Sequence, residues 1–451
     1  MAESSTQSGF QLWSKGEPLN ALIHRFTVGD DPNWDAQLFG FDCMASAAHA
    51  QMLARAGLIE ANQAHELTQA LGALFETPIS ITAEQEDCHT AIEAALIARL
   101  GETGKRIHLG RSRNDQVLVA LRLLLTQTVR ETSAQVLALV QELLNFAAKN
   151  AEVELPGYTH LQRAMPSSFG MWAQGFACGL LEELDASAGL LARIDRCPLG
   201  AAAGFGVPLP LDRQFCADLL GFAQVQISPT DCMNSRGRHE QALLDWFASI
   251  AHTLEKLAWD VVLYASQEFA FIKLPAAFTT GSSIMPHKRN PDVAELARAH
   301  CRQIRGFAES HRQIMSGLPS SYHRDFQLGK APLMSAIANM RTLLDVLTEL
   351  IPAIEPLSKN LEQACSDELY AAHAAYQKVA AGAAFRDAYQ TISLELKTGS
   401  FKPDRNALSA KHLGGLSNLG LAQSQAAHAQ HAARIAVLEA KASAVLRGLW
   451  G

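Results

Sequence analysis

No pair of the eight cysteines, at 43, 88, 178, 197, 216, 232, 301 and 365, is spaced CxxC, so a zinc ribbon or redox dithiol has little support. Reduced, mostly buried thiols in a cytoplasmic protein are expected. The sixteen histidines include no HExxH, which argues against metalloprotease-type zinc. Excess positive charge is missing too: Lys plus Arg number 38 against 45 Asp plus Glu, a formal charge of -7. Such a chain is a poor binder of nucleic acid or anionic membrane, and any anionic substrate must be held by locally placed cations. The longest uncharged runs, such as 164–181, contain Pro166, Ser167, Gln174 and three glycines, and read as buried helix rather than membrane span. The opening MAESSTQSGFQLWSKG has no basic segment followed by an apolar one, so a secretory leader is not expected. Strand-like alternation is nearly absent, as are internal repeats and low-complexity tracts.

What is present is helical periodicity in a chain of 451 residues, 48% hydrophobic and 18% charged, ample for two or three domains and unlike a disordered chain. From Asn114 to Ala148 apolar residues recur at Val117, Leu121, Leu124, Val129, Val136, Val140, Leu143 and Ala147 with no proline between them. That spacing predicts a helix of about thirty-five residues. Further helices are expected over 166–191, 238–269, 291–314 and 331–350. Helices this long and apolar pack side by side. The expected class is therefore all-α: a mixed, mostly helical segment over 1–109, a bundle over 110–355, and a small Ala-rich helical domain over 356–451. So much apolar helix surface also predicts an oligomer.

Four polar islands interrupt the helices. GSSIMPHKRNP, residues 281–291, combines Ser282 and Ser283 with Lys288, Arg289 and Asn290, and Asn-Pro is a good helix start. Positive charge at a helix end suits an anion that forms transiently. HLGRSRNDQ, residues 108–116, sets Arg111 and Arg113 beside a helix start, with Asn114 next to them, as a carboxylate receptor. PGYTHLQRAMP, residues 156–166, offers Thr159 and Gln162 as hydrogen-bonding groups and His160 as a group that exchanges a proton near neutral pH. A lone histidine beside a helix is more often structural. EDCHTAIE, residues 86–93, holds Asp87 and His89, and read plainly is an acidic helix start.

The 281–291 stretch closely resembles the GSSxMPxKxNP loop of the fumarase, aspartase and argininosuccinate lyase superfamily. HLGRSRNDQ, with its paired arginines, resembles argininosuccinate lyases in particular; fumarases and adenylosuccinate lyases have an Asn-Asp here without them. PGYTHLQRAMP and EDCHTAIE are similar to PGYTHLQxAxP and EDxHxxIE, and GLPSSYHRDFQLGK, residues 317–330, to GLPxxYxxDxQxxK. The resemblance runs from about Phe26 into the tail. It implies a three-domain fold with a central bundle of long helices and a homotetramer whose active sites are shared between subunits. It also implies β-elimination of argininosuccinate to arginine and fumarate, without metal or organic cofactor. Ser282 is then the base, Lys288 stabilises the anion, and His160 is the general acid, oriented by Glu295. Tyr322, Gln327 and Lys330 contact the arginine half; Arg236, Asp87, His89, Asn290 and Ser283 complete the binding set.

Three departures from the family pattern stand out. The usual Trp-Gly-Gly-Arg-Phe start is Trp13-Ser14-Lys15-Gly16, a serine common near position 31 is replaced by Asp31, and the aspartates flanking Arg236 are Ser235 and Gly237. The alternatives are another lyase of the superfamily, adenylosuccinate or fumarase type, a catalytically retired homologue like the lens crystallins, and a plain helical scaffold. The last leaves the four islands unexplained.

Overall fold

The computed structural model of the chain describes residues 20–450, so the Trp13-Ser14-Lys15-Gly16 departure lies outside the described residues. Five long helices form the body: Arg113–Lys149, Phe169–Ile194, Arg238–Tyr264, Asp292–Met315 and Lys330–Ala353. Arg238–Tyr264 packs along Asp292–Met315, Arg113–Lys149 along Phe169–Ile194, and Lys330–Ala353 bridges the two pairs. All the periodic residues named for the first helix are buried, with Val129, Val136, Val140, Leu143 and Ala147 inaccessible. Leu243, Phe247, Ile250, Leu254, Leu257 and Val261 form the matching inaccessible stripe on Arg238–Tyr264. At about 1.5–3 kcal/mol for each fully buried large aliphatic or aromatic side chain, these stripes hold the bundle together.

Shorter helices, among them Asp31–Asp35, Phe39–Arg55, Ala61–Glu76 and Cys88–Leu100, cover one end of the bundle. Beyond it a separate apolar cluster, with Leu369, Tyr370, Ile392 and Leu408, forms a small lobe. Leu421–Trp450 then runs back along Arg113–Lys149 and Phe169–Ile194, and the Trp450 ring lies 5.4 Å from that of Phe75. All eight cysteines are free, and all but Cys178 are buried. Among the described residues no helix is long and apolar enough to cross a membrane.

Two helix starts differ from expectation. Pro166 does not begin a helix: Glu154–Thr159 pairs antiparallel with Gln162–Ser168, Pro156 facing Pro166, and Ser168 caps the helix from Phe169 by accepting the Met171 N–H at 3.1 Å. The hairpin was not legible because its strands are short and carry no apolar alternation. Nor does Asn290 cap the next helix. Its backbone N–H and C=O pair with Thr280 at 2.9 and 3.1 Å, which holds it extended, and Pro291 takes the cap position without a side-chain bond.

Candidate active site

A cavity of about 520 Å³ opens where the short N-terminal helices meet the start of Arg113–Lys149 and the segment leading into Lys330–Ala353. Nine of the residues picked out by sequence line it: Asp87, His89, Arg111, Arg113, Asn114, Arg236, Tyr322, Gln327 and Lys330. Their positions follow from how each element begins. Ser112 caps the long helix by accepting the Asn114 N–H, and its own N–H donates to Asp115 Oδ1 at 3.0 Å. The other Asp115 oxygen accepts the Gly200 and Ala202 N–H groups, which ties the loop near 200 to this start. Asp87 caps Cys88–Leu100 by accepting from Thr90 N at 2.8 Å. Two helix starts therefore point into one space.

The two arginines are held differently. Arg113 Nε stands 3.0 Å from Asp87 Oδ2 in an ion pair, and Nη2 donates to Thr90 Oγ1 at 2.9 Å. Arg111 is buried and donates through Nη1 to Ser46 Oγ at 2.9 Å, with no carboxylate in ion-pair contact among the described residues. Ser46 in turn donates to Asp42, and Asp42 stands 3.1 Å from His89 Nδ1. Burial disfavours a charged His89, but Asp42, aided by Asp87 and Asp35, outweighs it and raises its pKa. Burial together with Arg111 and Arg113 pushes His108 down. Arg236 lies over the Phe326 ring at 5.3 Å, with Glu240 3.9 Å from its Nε. Gln327 donates to the Thr27 and Val28 carbonyls, and Lys330 is buried between Asp31 and Asp35.

The remaining candidates do not line this cavity. Thr159, His160 and Gln162 sit exposed at the hairpin tip, where His160 (φ 53°) and Leu161 (φ 57°) form a two-residue turn with both residues left-handed. Ser282 is half-buried, and its Oγ accepts the Met285 N–H at 3.2 Å and the Ile284 N–H at 3.4 Å. Donors aimed at a hydroxyl oxygen favour its alkoxide form, the direction a serine base requires. Ser283 and Lys288 are exposed, Asn290 is half-buried, and Glu295 pairs with Arg298 at 3.0 Å rather than with His160. Among the described residues nothing in one chain joins His160, Ser282 and Lys288 to each other or to the cavity.

Asp31, Asp35 and Glu86 line the cavity, Asp42 and Ser46 hold His89 and Arg111, and none of the five was picked out as a site residue. Asp42, Ser46 and His49 recur at helical spacing on Phe39–Arg55 and are all buried, a polar stripe on a face that should be apolar. That spacing was the available signal. Asp35, Cys88 and His89 bring three potential metal ligands within 4.8 Å of one another, but the donor set fits a metal poorly. Asp35 already takes the Lys330 ammonium and the Cys88 N–H, and burial pushes the Cys88 thiol well above its ordinary pKa, away from the thiolate a metal needs.

The solved structures place the fold first. EDDS lyase in complex with formate superimposes with a TM-score of 0.78 over 96% of both chains at 20% identity. Class II fumarase from Schistosoma mansoni gives 0.71 over 83% of this chain and 88% of its own, at 17%. The mostly helical fold is thus that of the fumarase/aspartase lyases. The family model described as lyase matches residues 16–306. Argininosuccinate lyase of Sorangium cellulosum (strain So ce56) is 42% identical over 91% of this chain and 96% of its own length; that of Thermotoga neapolitana is 39% identical over 85% and 97%. The chain belongs to the argininosuccinate lyase family.

Proposed function

We propose that the enzyme splits argininosuccinate into arginine and fumarate by β-elimination. The observation that carries this is the cavity's supply of cations: Arg111 reaches it without a carboxylate in ion-pair contact among the described residues, Arg236 with Glu240 3.9 Å from its Nε, and Arg113 is held in place by Asp87. Such groups suit the two carboxylates of a succinyl moiety. Ser282 takes the proton from the succinyl carbon next to a carboxylate. The electron pair moves into that carboxylate as a doubly charged aci-anion, then forms the fumarate double bond as the C–N bond breaks. His160 gives its proton to the departing guanidinium nitrogen, so one proton is taken from carbon and one delivered to nitrogen. Lys288, Asn290 and backbone N–H groups stabilise the aci-anion, each well-aimed donor worth on the order of 3 kcal/mol.

The cavity of one chain holds the binding cations but neither the base nor the acid. The working site therefore gathers the 281–291 loop and the 156–166 hairpin from other copies, in a homotetramer of the cytoplasm. The exposure of Thr159, His160, Ser283 and Lys288 supports this reading, since groups that act on substrate need a wall against which to close.

The test is purified protein with argininosuccinate, following fumarate by its ultraviolet absorbance, with adenylosuccinate and malate in parallel. Turnover of argininosuccinate alone is expected. Turnover of adenylosuccinate or malate in its place, or of none of the three, refutes the proposal.

A further inference from the structure

The charged groups on the cavity wall can be followed pair by pair. Arg113 is matched by Asp87 at 3.0 Å and Glu86 at 4.0 Å, and Arg324 by Glu86 at 3.7 Å. Lys330 is buried, and its one ammonium serves two carboxylates. It donates to Asp31 Oδ2 at 2.9 Å and to Asp35 Oδ1. The other Asp35 oxygen accepts the Cys88 N–H at 3.1 Å, so Asp35 is fully engaged. Asp31 is not. Its Oδ1 is buried at the cavity wall and accepts no hydrogen bond from any described residue.

A buried anionic oxygen without a donor costs free energy until a donor arrives. Counting Lys330, Asp31 and Asp35, this end of the cavity carries one negative charge in excess. A hydroxyl at position 31, as the family resemblance places there, would leave it neutral. The extra carboxylate also engages the Lys330 ammonium, which would otherwise be freer to receive a ligand carboxylate.

We infer that Asp31 is a specificity residue for the amino-acid end of the substrate, its free Oδ1 receiving a primary ammonium so that recognition there depends more on the ammonium than on the neighbouring carboxylate. This rests on reading the cavity as the receptor for argininosuccinate. The charged groups facing Asp31 are Lys330, Asp35 and Asp87. Burial, with help from the two aspartates and against Lys330, lifts the Asp31 carboxyl to about 6, a penalty on its ionised form that a bound ammonium relieves.

Three substrates separate the possibilities: argininosuccinate, its analogue with hydrogen in place of the α-ammonium, and its analogue with hydrogen in place of the α-carboxylate of the arginine half. Each is assayed for kcat/KM with the intact enzyme, with Asp31→Ser and with Asp31→Asn; the asparagine keeps the shape and an acceptor for Lys330 if serine prevents folding. In the unsubstituted enzyme, loss of the ammonium is expected to cost at least tenfold and more than loss of the carboxylate. In either variant the penalty for the missing ammonium shrinks by about tenfold, and the penalty for the missing carboxylate grows. A residue that only anchored Lys330 would lower all three values together and leave the ratios unchanged, which overturns the inference while argininosuccinate turnover upholds the function. An unsubstituted enzyme inactive on argininosuccinate overturns both.

Discussion

His89 Nδ1 stands 3.1 Å from Asp42 Oδ2 beneath the cavity, with the His89 side chain 4% exposed and Asp42 inaccessible. Asp42 also receives the Ser46 hydroxyl, and Ser46 receives Arg111. Two groups that line the cavity, His89 and Arg111, therefore depend on one carboxylate that does not reach it.

That dependence varies with pH. The folded protein raises the His89 pKa above its unfolded value, near 6.5, so the pair's stabilisation is fully present below about pH 6.5 and fades as pH rises through the folded value. Asp42→Asn should cost about 3 kcal/mol at pH 6 and clearly less at pH 9, as expected when one partner of a buried pair is removed. Thermal unfolding of both proteins at the two pH values checks this; equal losses contradict it.

Asp115 is inaccessible and accepts three backbone N–H groups, from Ser112, Gly200 and Ala202. Asp115→Ala leaves all three without this partner, those of Gly200 and Ala202 buried, and should lower stability by about 3 kcal/mol, with Asp115→Asn losing less. Because the same bonds fix the helix start that presents Arg113 and Asn114, KM should rise as well. Urea denaturation and steady-state kinetics read the two effects, and a stability change below about 1 kcal/mol would contradict the assignment.

Leu161 is 71% exposed with φ 57°, so its side chain gives little packing in return for a left-handed backbone. Leu161→Gly relieves about 1–2 kcal/mol of strain and gives back part of that through the freer unfolded chain. A net gain of about 0.5–1 kcal/mol is expected, together with a lower kcat because His160 is held less firmly. Denaturation midpoints and kcat measured on one preparation test both, and a less stable or faster enzyme contradicts the reading.

The bundle was legible in the sequence because a buried helix face writes its period over thirty residues, as Val117 to Ala147 does. The 154–168 hairpin was not, since its pairing sets Pro156 against Pro166 and shows no alternation. Cap chemistry misled at Asn290, whose backbone is taken by Thr280, and the caps that Ser112 and Asp87 make were not read from the sequence. The cavity's polar lining came through short motifs, whereas Asp42 and Ser46 stayed hidden in an apparently apolar helix because their polarity is spent inside the protein. Which surfaces meet His160 and Ser282 is not written in local sequence, because it depends on how whole helix faces associate.

In the proposed mechanism the imidazole of His160 and the hydroxyl of Ser282 act in one site though they come from different copies of the chain. Co-expressing His160→Asn with Ser282→Ala, and confirming mixed assemblies by native mass spectrometry, tests it directly. Each variant alone should be folded and nearly inactive, and the mixed assemblies should release fumarate from argininosuccinate well above the sum of the two. Mixed assemblies as inactive as their parents would contradict the account.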